Sequence, residues 1–331
     1  MAKLLYPENG FVFDTHTEIQ NEFLRRIGEE GIKDALVWLE PVKDGREVSR
    51  PAALEFRWEK DGSDVYTLEV SENESFTAPM TVKTEEDHAL LDNFKIGQTY
   101  FWRVNGGEVR SFTTKNEVPR FIRIPDVLNV RDIGGASMKQ GMVYRGSELD
   151  FYPITDEGRK IFTEQLKIKT DLDLRATSQT DKRGGISAAG ETVVFKPLPY
   201  RPYGEVFEEQ HREGIVRIME FLADETIYPI YIHCSGGADR AGMIALYLRS
   251  ICGESDEDIH RDYEMTSLST YAGYVNKTGF RHRYMNGYNT LLDGLEPYAP
   301  GGTIREKAVA FLLDCGVKPE TMDKIASILK K

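Results

Sequence analysis

Two textures of apolar patterning divide the chain. Up to about residue 118, apolar and polar positions alternate in short runs. They are Leu54-Glu-Phe-Arg-Trp58, Val65-Tyr-Thr-Leu-Glu-Val70, Thr99-Tyr-Phe-Trp-Arg-Val104 and Val109-Arg-Ser-Phe112. A period of two marks half-buried strands, and turn residues such as Asp61-Gly62 separate the runs. Ala35-Leu-Val-Trp-Leu39 and Met80-Thr-Val82 predict two more strands. Asp14 to Glu30 instead carries Ile19, Phe23, Leu24 and Ile27 at helical spacing, with Asp14 or Thr15 as cap. Short strands at this spacing predict a β-sandwich over residues 1–118, with an N-terminal helical segment.

After Lys115-Asn-Glu-Val-Pro119, which reads as a linker, the pattern changes. Phe121-Ile-Arg-Ile-Pro125, Val127 to Gly135, Gly141 to Leu149, Ile168 to Arg175 and Val193 to Pro197 are strand-like. Glu205 to Ala223 is helical, with Phe207, Ile215, Ile218, Met219 and Leu222 as its buried stripe. Strands alternating with helices predict an α/β domain over residues 119–331, a central sheet flanked by helices. In such sheets ligands gather beyond the carboxyl ends of strands. Asp173, Arg175 and Cys234 all follow strands, so that edge is where they would meet.

The most informative stretch is Pro229-Ile-Tyr-Ile-His-Cys-Ser-Gly-Gly-Ala-Asp-Arg-Ala-Gly242. It reads as a buried strand, a glycine turn, and a helix starting near Asp239 that is apolar on nearly every face. The first N–H groups of a helix have no intrahelical partner, and the helix dipole adds partial positive charge there. Glycines let successive amides converge on an anion. Arg240 adds a planar, two-pronged donor for a tetrahedral oxyanion. Cys234, at the mouth, is favoured as thiolate by that field. A bound dianion held against a sulfur nucleophile fits phosphoryl transfer through a cysteinyl-phosphate. A lone cysteine after a strand is more often a small buried hydrophobe, and a lone histidine a core residue. The fixed spacing His233-Cys234, five residues, Arg240 is what raises the pattern above that background.

That spacing resembles the signature of the cysteine-dependent protein tyrosine phosphatases. With Asn129-Val-Arg-Asp-Ile-Gly-Gly135, Tyr144-Arg145, Asp173-Leu-Arg175 and Asp256 to Tyr263 in that order, residues 120–331 resemble the bacterial tyrosine phosphatase family. The resemblance implies a cysteinyl-phosphate mechanism, no metal or other cofactor, and activity on phosphotyrosine, sometimes on phosphoserine or phosphoinositides. It makes Cys234 the nucleophile, with His233 supporting the loop. Ser235, Gly236, Gly237, Ala238, Asp239 and Arg240 bind phosphate. Asp173 is the first choice for the leaving-group acid and Asp239 the second; Asp173 could instead be an ion-pair partner of Arg175 or Arg131. Arg131, Asp132, Arg145 and Arg175 are read as support around the loop. Two positions depart from many relatives. Ala241 stands where a serine or threonine would assist the departing thiolate, which predicts slow breakdown of the phosphoenzyme. Ala238 stands where a lysine is common, which favours phosphotyrosine or a small aryl phosphate over polyanionic phosphoinositides.

Over roughly residues 35–115, Leu91 to Val104 looks like the E–F corner of a fibronectin type III domain, with Trp58 as core tryptophan. This predicts a spacer or a module for a protein partner. Pro199 to Phe207 reads as a rim or lid, or as an ordinary surface loop, and Tyr271 to Tyr288 as a packing helix or a recognition element.

Charge narrows the partners. The net charge is −12 and residues 1–118 hold most of it, with 14 Lys and Arg against 23 Asp and Glu. Nucleic acid and anionic membrane surfaces are therefore poor bulk partners. The substrate expected is a phosphorylated protein or small phosphomonoester. Three cysteines form no disulfide framework and suit a reducing compartment. With no long apolar segment, a cytoplasmic location is expected. The alternatives are an inositol polyphosphate or phosphoinositide phosphatase, and a slow or inactive phosphate-binding adaptor.

Overall fold

The computed structural model describes residues 2–26, 45–150, 152–181, 184–270 and 286–331. The strand expected at Ala35–Leu39 and most of the Tyr271–Tyr288 stretch lie outside the described residues. The chain divides into two compact units, Met1–Thr17 with Pro51–Arg123, and Glu18–Arg50 with Ile124–Lys331. Among the described residues, no helix is long and apolar enough to cross a membrane.

The first unit holds β1 (Lys3–Tyr6), β2 (Phe11–Phe13), β3 (Leu54–Glu59), β4 (Tyr66–Ser71), β5 (Met80–Thr84), β6 (His88–Leu91), β7 (Thr99–Val104), β8 (Arg110–Thr114) and the two-residue β9 (Arg120–Phe121). Strands β1-β3-β6 form one sheet and β2-β8-β7-β4-β5 another. Alternate residues of both meet in one apolar core, where Phe56, Trp58, Tyr66, Trp102 and Phe112 are almost wholly buried. The Tyr100 hydroxyl accepts from the Lys95 N–H at 2.8 Å and ties down the turn before β7. The helix expected from Asp14 is α1 (Glu18–Arg26), and it groups with the second unit rather than with the strands. In that unit Gln20, fully buried, donates to the carbonyls of Val48 and Arg50 at 2.8 and 2.6 Å.

The second unit is built on β10 (Arg131–Asp132), β11 (Val143–Gly146), β12 (Thr170–Asp173), β13 (Val194–Pro197) and β14 (Ile230–His233), ordered β13-β12-β14-β11-β10. Its helices are α2 (Asp156–Lys160), α3 (Thr177–Thr180), α4 (Glu209–Leu222), α5 (Arg240–Cys252), α6 (Asp256–Glu264), α7 (Asn286–Leu295), α8 (Ile304–Asp314) and α9 (Pro319–Leu329). This is an α/β arrangement, a central sheet with helices packed around it. Helix α5 contacts β11 and β14 on one side and α8 and α9 on another, so its apolar residues point every way. The register matters most. Strand β14 runs parallel to both neighbours, and His233 pairs with Asp173 of β12 and Gly146 of β11. Three strands therefore end level, and the chain leaves β14 at that edge as the cysteine loop.

Candidate active site

Cys234 follows β14 directly, is 2% exposed and is a free thiol. The five carbonyls from Cys234 to Ala238 are each taken by a neighbour. His233 Nδ1 bonds Cys234 O at 3.0 Å, and Glu148 N–H bonds Ser235 O at 2.9 Å. Asn129 Nδ2 donates to Gly236 O at 2.9 Å. Arg145 donates through Nη2 to Gly237 O at 2.6 Å and to Ala238 O at 2.9 Å, and through Nε to Gly237 O at 3.1 Å. In a trans peptide the C=O and the following N–H point in opposite directions. The N–H groups of residues 235 to 239 are therefore turned away from this scaffold, as an anion cup requires. Gly237 makes the turn possible. Its φ is +65°, and a Cβ there would lie 2.1 Å from the carbonyl oxygen of Gly146.

Arg145 is fixed in turn by charge. Its Nη1 pairs with Asp262 of α6, while Arg131 Nε lies 2.9 Å from the other oxygen of that carboxylate. Arg131 also holds Asn129, donating to its side-chain oxygen at 2.7 Å, so the asparagine amide faces Gly236. Arg249 stands 3.7 Å from Asp262 and pairs with Glu254 at 2.5 Å. Burial opposes ionisation of Asp262, but Arg145, Arg131 and Arg249 outweigh it and hold the carboxyl well below the usual range. Burial and the neighbouring Arg145 pull Arg131 down to about 10. Asp132 closes the connection between β10 and β11, accepting from Gly134 N–H at 2.8 Å and Gly141 N–H at 2.6 Å.

At the strand ends, His233 is fully buried, with Nε2 2.8 Å from Asp171 and 3.8 Å from Asp173. Both ring nitrogens face oxygen acceptors, the arrangement of an imidazolium. Burial lowers its pKa, but Asp171 and Asp173 raise it further, and the net direction is upward. Asp173 is wholly buried, and Arg175 donates to both its oxygens, Nε to Oδ1 at 3.0 Å and Nη2 to Oδ2 at 2.7 Å. Burial raises its pKa, yet His233 and Arg175 more than offset this and hold the carboxyl below its ordinary value. Arg175 also pairs with Glu148 and, at 3.1 Å, with Asp150.

At the start of α5, Arg240 folds back toward the loop, Nη2 3.4 Å from Ser235 Oγ and Nη1 3.5 Å from Leu174 O. Asp239 is the N-cap of α5, but its side chain makes no capping bond. It pairs instead with the hydroxyl of Tyr203, which stands 3.0 Å from the hydroxyl of Tyr263. Ala238 and Ala241 are buried. Sequence reading assigned no role to Asp262, Asn129, Asp171 or Tyr203. The first two sit inside the quoted motifs, and Tyr203 lies in the aromatic Pro199–Phe207 segment; Asp171 carries no signal of its own.

The sequence profile of the tyrosine phosphatase family matches residues 122–330. The chain belongs to this family. It is therefore a phosphatase, and the cysteine loop lies within the matched span. Two solved structures are similar to part of it. One is the core catalytic domain of the PP-IP phosphatase SIW14 from S. cerevisiae in complex with citrate, 20% identical, covering 38% of this chain and 73% of that one at a TM-score of 0.27. The other is the Siw14 catalytic core, 16% identical, covering 54% and 92% at a TM-score of 0.30. No curated protein matches the chain.

Proposed function

We propose that this phosphatase hydrolyses phosphomonoesters, protein phosphotyrosine first among them, through a phosphoryl-cysteine on Cys234. The run of five carbonyls held by neighbours, Cys234 to Ala238, carries the reading, because it leaves the five following amides facing away from those donors and available to an anion. Phosphate oxygens bind those amides and the Arg240 guanidinium. Cys234 Sγ attacks phosphorus, and the ester oxygen leaves with a proton. Water then attacks the phosphoryl-cysteine, giving inorganic phosphate and the free thiolate. We assign the proton to Asp239 rather than to Asp173. Asp173 is buried, ionised and engaged by Arg175, so it has no proton to give. Asp239 is part-exposed on the loop itself. Ala238, with no cation to add, supports a singly phosphorylated aryl substrate.

The first unit, with two sheets around one aromatic core, is read as a fibronectin type III-like sandwich over residues 1–118 that docks a protein partner. Three free thiols support a cytoplasmic location.

The deciding experiment is rapid-quench kinetics on phosphotyrosine peptide, phosphoserine peptide and inositol phosphates, with Cys234→Ser as control. A burst of one product per enzyme, with the phosphoryl group on Cys234, is expected. Turnover surviving in Cys234→Ser, or label on another residue, sinks the mechanism; faster turnover of inositol phosphates sinks the substrate class.

A further inference from the structure

We infer that Tyr203 is a positioning residue for the leaving-group acid: its hydroxyl holds Oδ1 of Asp239 and so fixes the orientation of that carboxyl group. The inference rests on the assignment of Asp239 above. Tyr203 lies 36 residues upstream, in the connection between β13 and α4. Three features show that its placement is specified. Its φ is +52°, a left-handed conformation that a bulky residue rarely adopts. Its N–H is fixed on Met243 Sδ at 3.0 Å. Its ring occupies the space over Gly287, where a Cβ would come within 2.7 Å of Cε2.

The hydrogen-bond arithmetic follows. A tyrosine hydroxyl has one proton to donate. Burial, then the neighbouring Tyr263 and Asp239, push the Tyr203 hydroxyl far above its ordinary pKa, so it stays a donor. Donating to Asp239 Oδ1, it accepts from Tyr263, whose ring stacks on Tyr288 at 4.0 Å with 10° between planes. Tyr288 in turn bonds His260 Nδ1 at 3.2 Å. An N-cap aspartate ordinarily accepts from the N–H two or three residues on. Asp239 makes no such capping bond; its Oδ1 accepts from Tyr203.

The test compares Tyr203→Phe, Asp239→Asn and the double variant on two substrates. Phenyl phosphate needs its leaving group protonated; 2,4-dinitrophenyl phosphate does not. The readout is kcat/KM, which reports phosphoenzyme formation even when its breakdown limits turnover. Asp239→Asn should lose on the order of 10²-fold on phenyl phosphate. Tyr203→Phe should lose about tenfold there. Both should lose under about threefold on the dinitrophenyl ester. The double variant should be no worse than Asp239→Asn alone, since Tyr203 acts only through that residue. The activated substrate gauges an intact loop, so equal losses on both substrates mean Tyr203 only packs the fold and overturn the inference. No loss on phenyl phosphate, or additive losses in the double variant, also overturns it. Cys234→Ser separates the failures: if it is inactive while Tyr203→Phe shows no split, this inference falls alone; if it stays active, the function falls first.

Discussion

Replacing Asp262 by asparagine keeps the side chain's shape and removes its charge. The carboxylate is 3% exposed and faces Arg131 and Arg145, each 1% exposed, with Arg249 3.7 Å away. Removing one partner of a buried ion pair costs about 3–5 kcal/mol, because the other charge stays buried without compensation. Here two guanidiniums depend on it, which argues for the upper end. Arg131 keeps the Asn129 oxygens and the Asp262 carbonyl, and Arg145 keeps the carbonyls of Gly237 and Ala238, which argues against more. We expect a loss of about 4 kcal/mol, a large part of a typical domain's 5–15 kcal/mol. The carboxyl is held below its unfolded value of about 3.9, so its stabilisation is complete above that pH and is lost only as pH falls through the folded value. The gap between wild type and Asp262→Asn should then be flat from about pH 5 to pH 8 and close only in strong acid. Urea unfolding across that range measures it, and kcat/KM should fall with it because Arg145 holds the loop. An unchanged midpoint, a gap that varies near neutrality, or full kcat/KM in the destabilised variant would refute the reasoning.

Gly237→Ala places a Cβ against backbone at Gly146 and demands φ +65° of an L residue, so kcat/KM should fall by on the order of 10²-fold or more. Gly214→Ala, inside α4 with nothing nearer than 4.0 Å, should instead raise stability by about 0.5–1 kcal/mol; a loss in the melting curve counts against the helix as described. His233 has its pKa raised above the unfolded value of about 6.5. Its stabilisation is complete below that pH and fades as pH rises through the folded value, so His233→Gln should be most destabilised in acid and least in base. A denaturation series showing the reverse trend would contradict the imidazolium. Ala241→Ser should speed phosphoenzyme breakdown by an amount worth about 1–3 kcal/mol, and an unchanged ratio of burst to steady state speaks against it.

What the sequence discloses is local. Leu54-Glu-Phe-Arg-Trp58 and Thr99 to Val104 alternate, and both are strands with Phe56, Trp58, Tyr100 and Trp102 inside. Arg240 to Cys252 is apolar all round because sheet and helices both contact it. The cysteine loop stands out because strand, glycines and helix are contiguous. What holds the loop is not contiguous. Asn129 meets Gly236 across 107 residues, Arg145 meets Asp262 across 117, and Arg131 meets Asp262 across 131. No window of sequence contains both partners, so periodicity and propensity are silent about them. Asp173 is a different case. The sequence leaves two readings open, an acid or an ion-pair partner of Arg175 or Arg131, and the contacts with Arg175, two residues on, and with His233 favour a charge already in use. Tyr203 is a further case: the sequence flags its segment, Pro199 to Phe207, but its partner Asp239 is fixed by the fold.

The charges behind the loop are hard to justify as stabilisers. Replacing a buried ion pair by hydrocarbon of similar volume is often neutral or favourable, and α5 shows that this fold packs hydrocarbon well. Hydrocarbon, however, donates no hydrogen bond. Five consecutive carbonyls turned inward need donors, since each buried and unpaired one would cost about 1–3 kcal/mol. Arg145 reaches two of them from one side, and Asn129, His233 and the Glu148 N–H reach one each. Those cationic donors then need counter-charge, which Asp262 supplies to Arg145 and Arg131, and Asp171 and Asp173 to His233. The network follows from the backbone orientation it enforces, and its members should be judged by loop geometry before melting temperature. The Asp239 side chain accepts from a tyrosine hydroxyl, and because that donor is neutral the bond adds no further buried charge that would need a counter-ion.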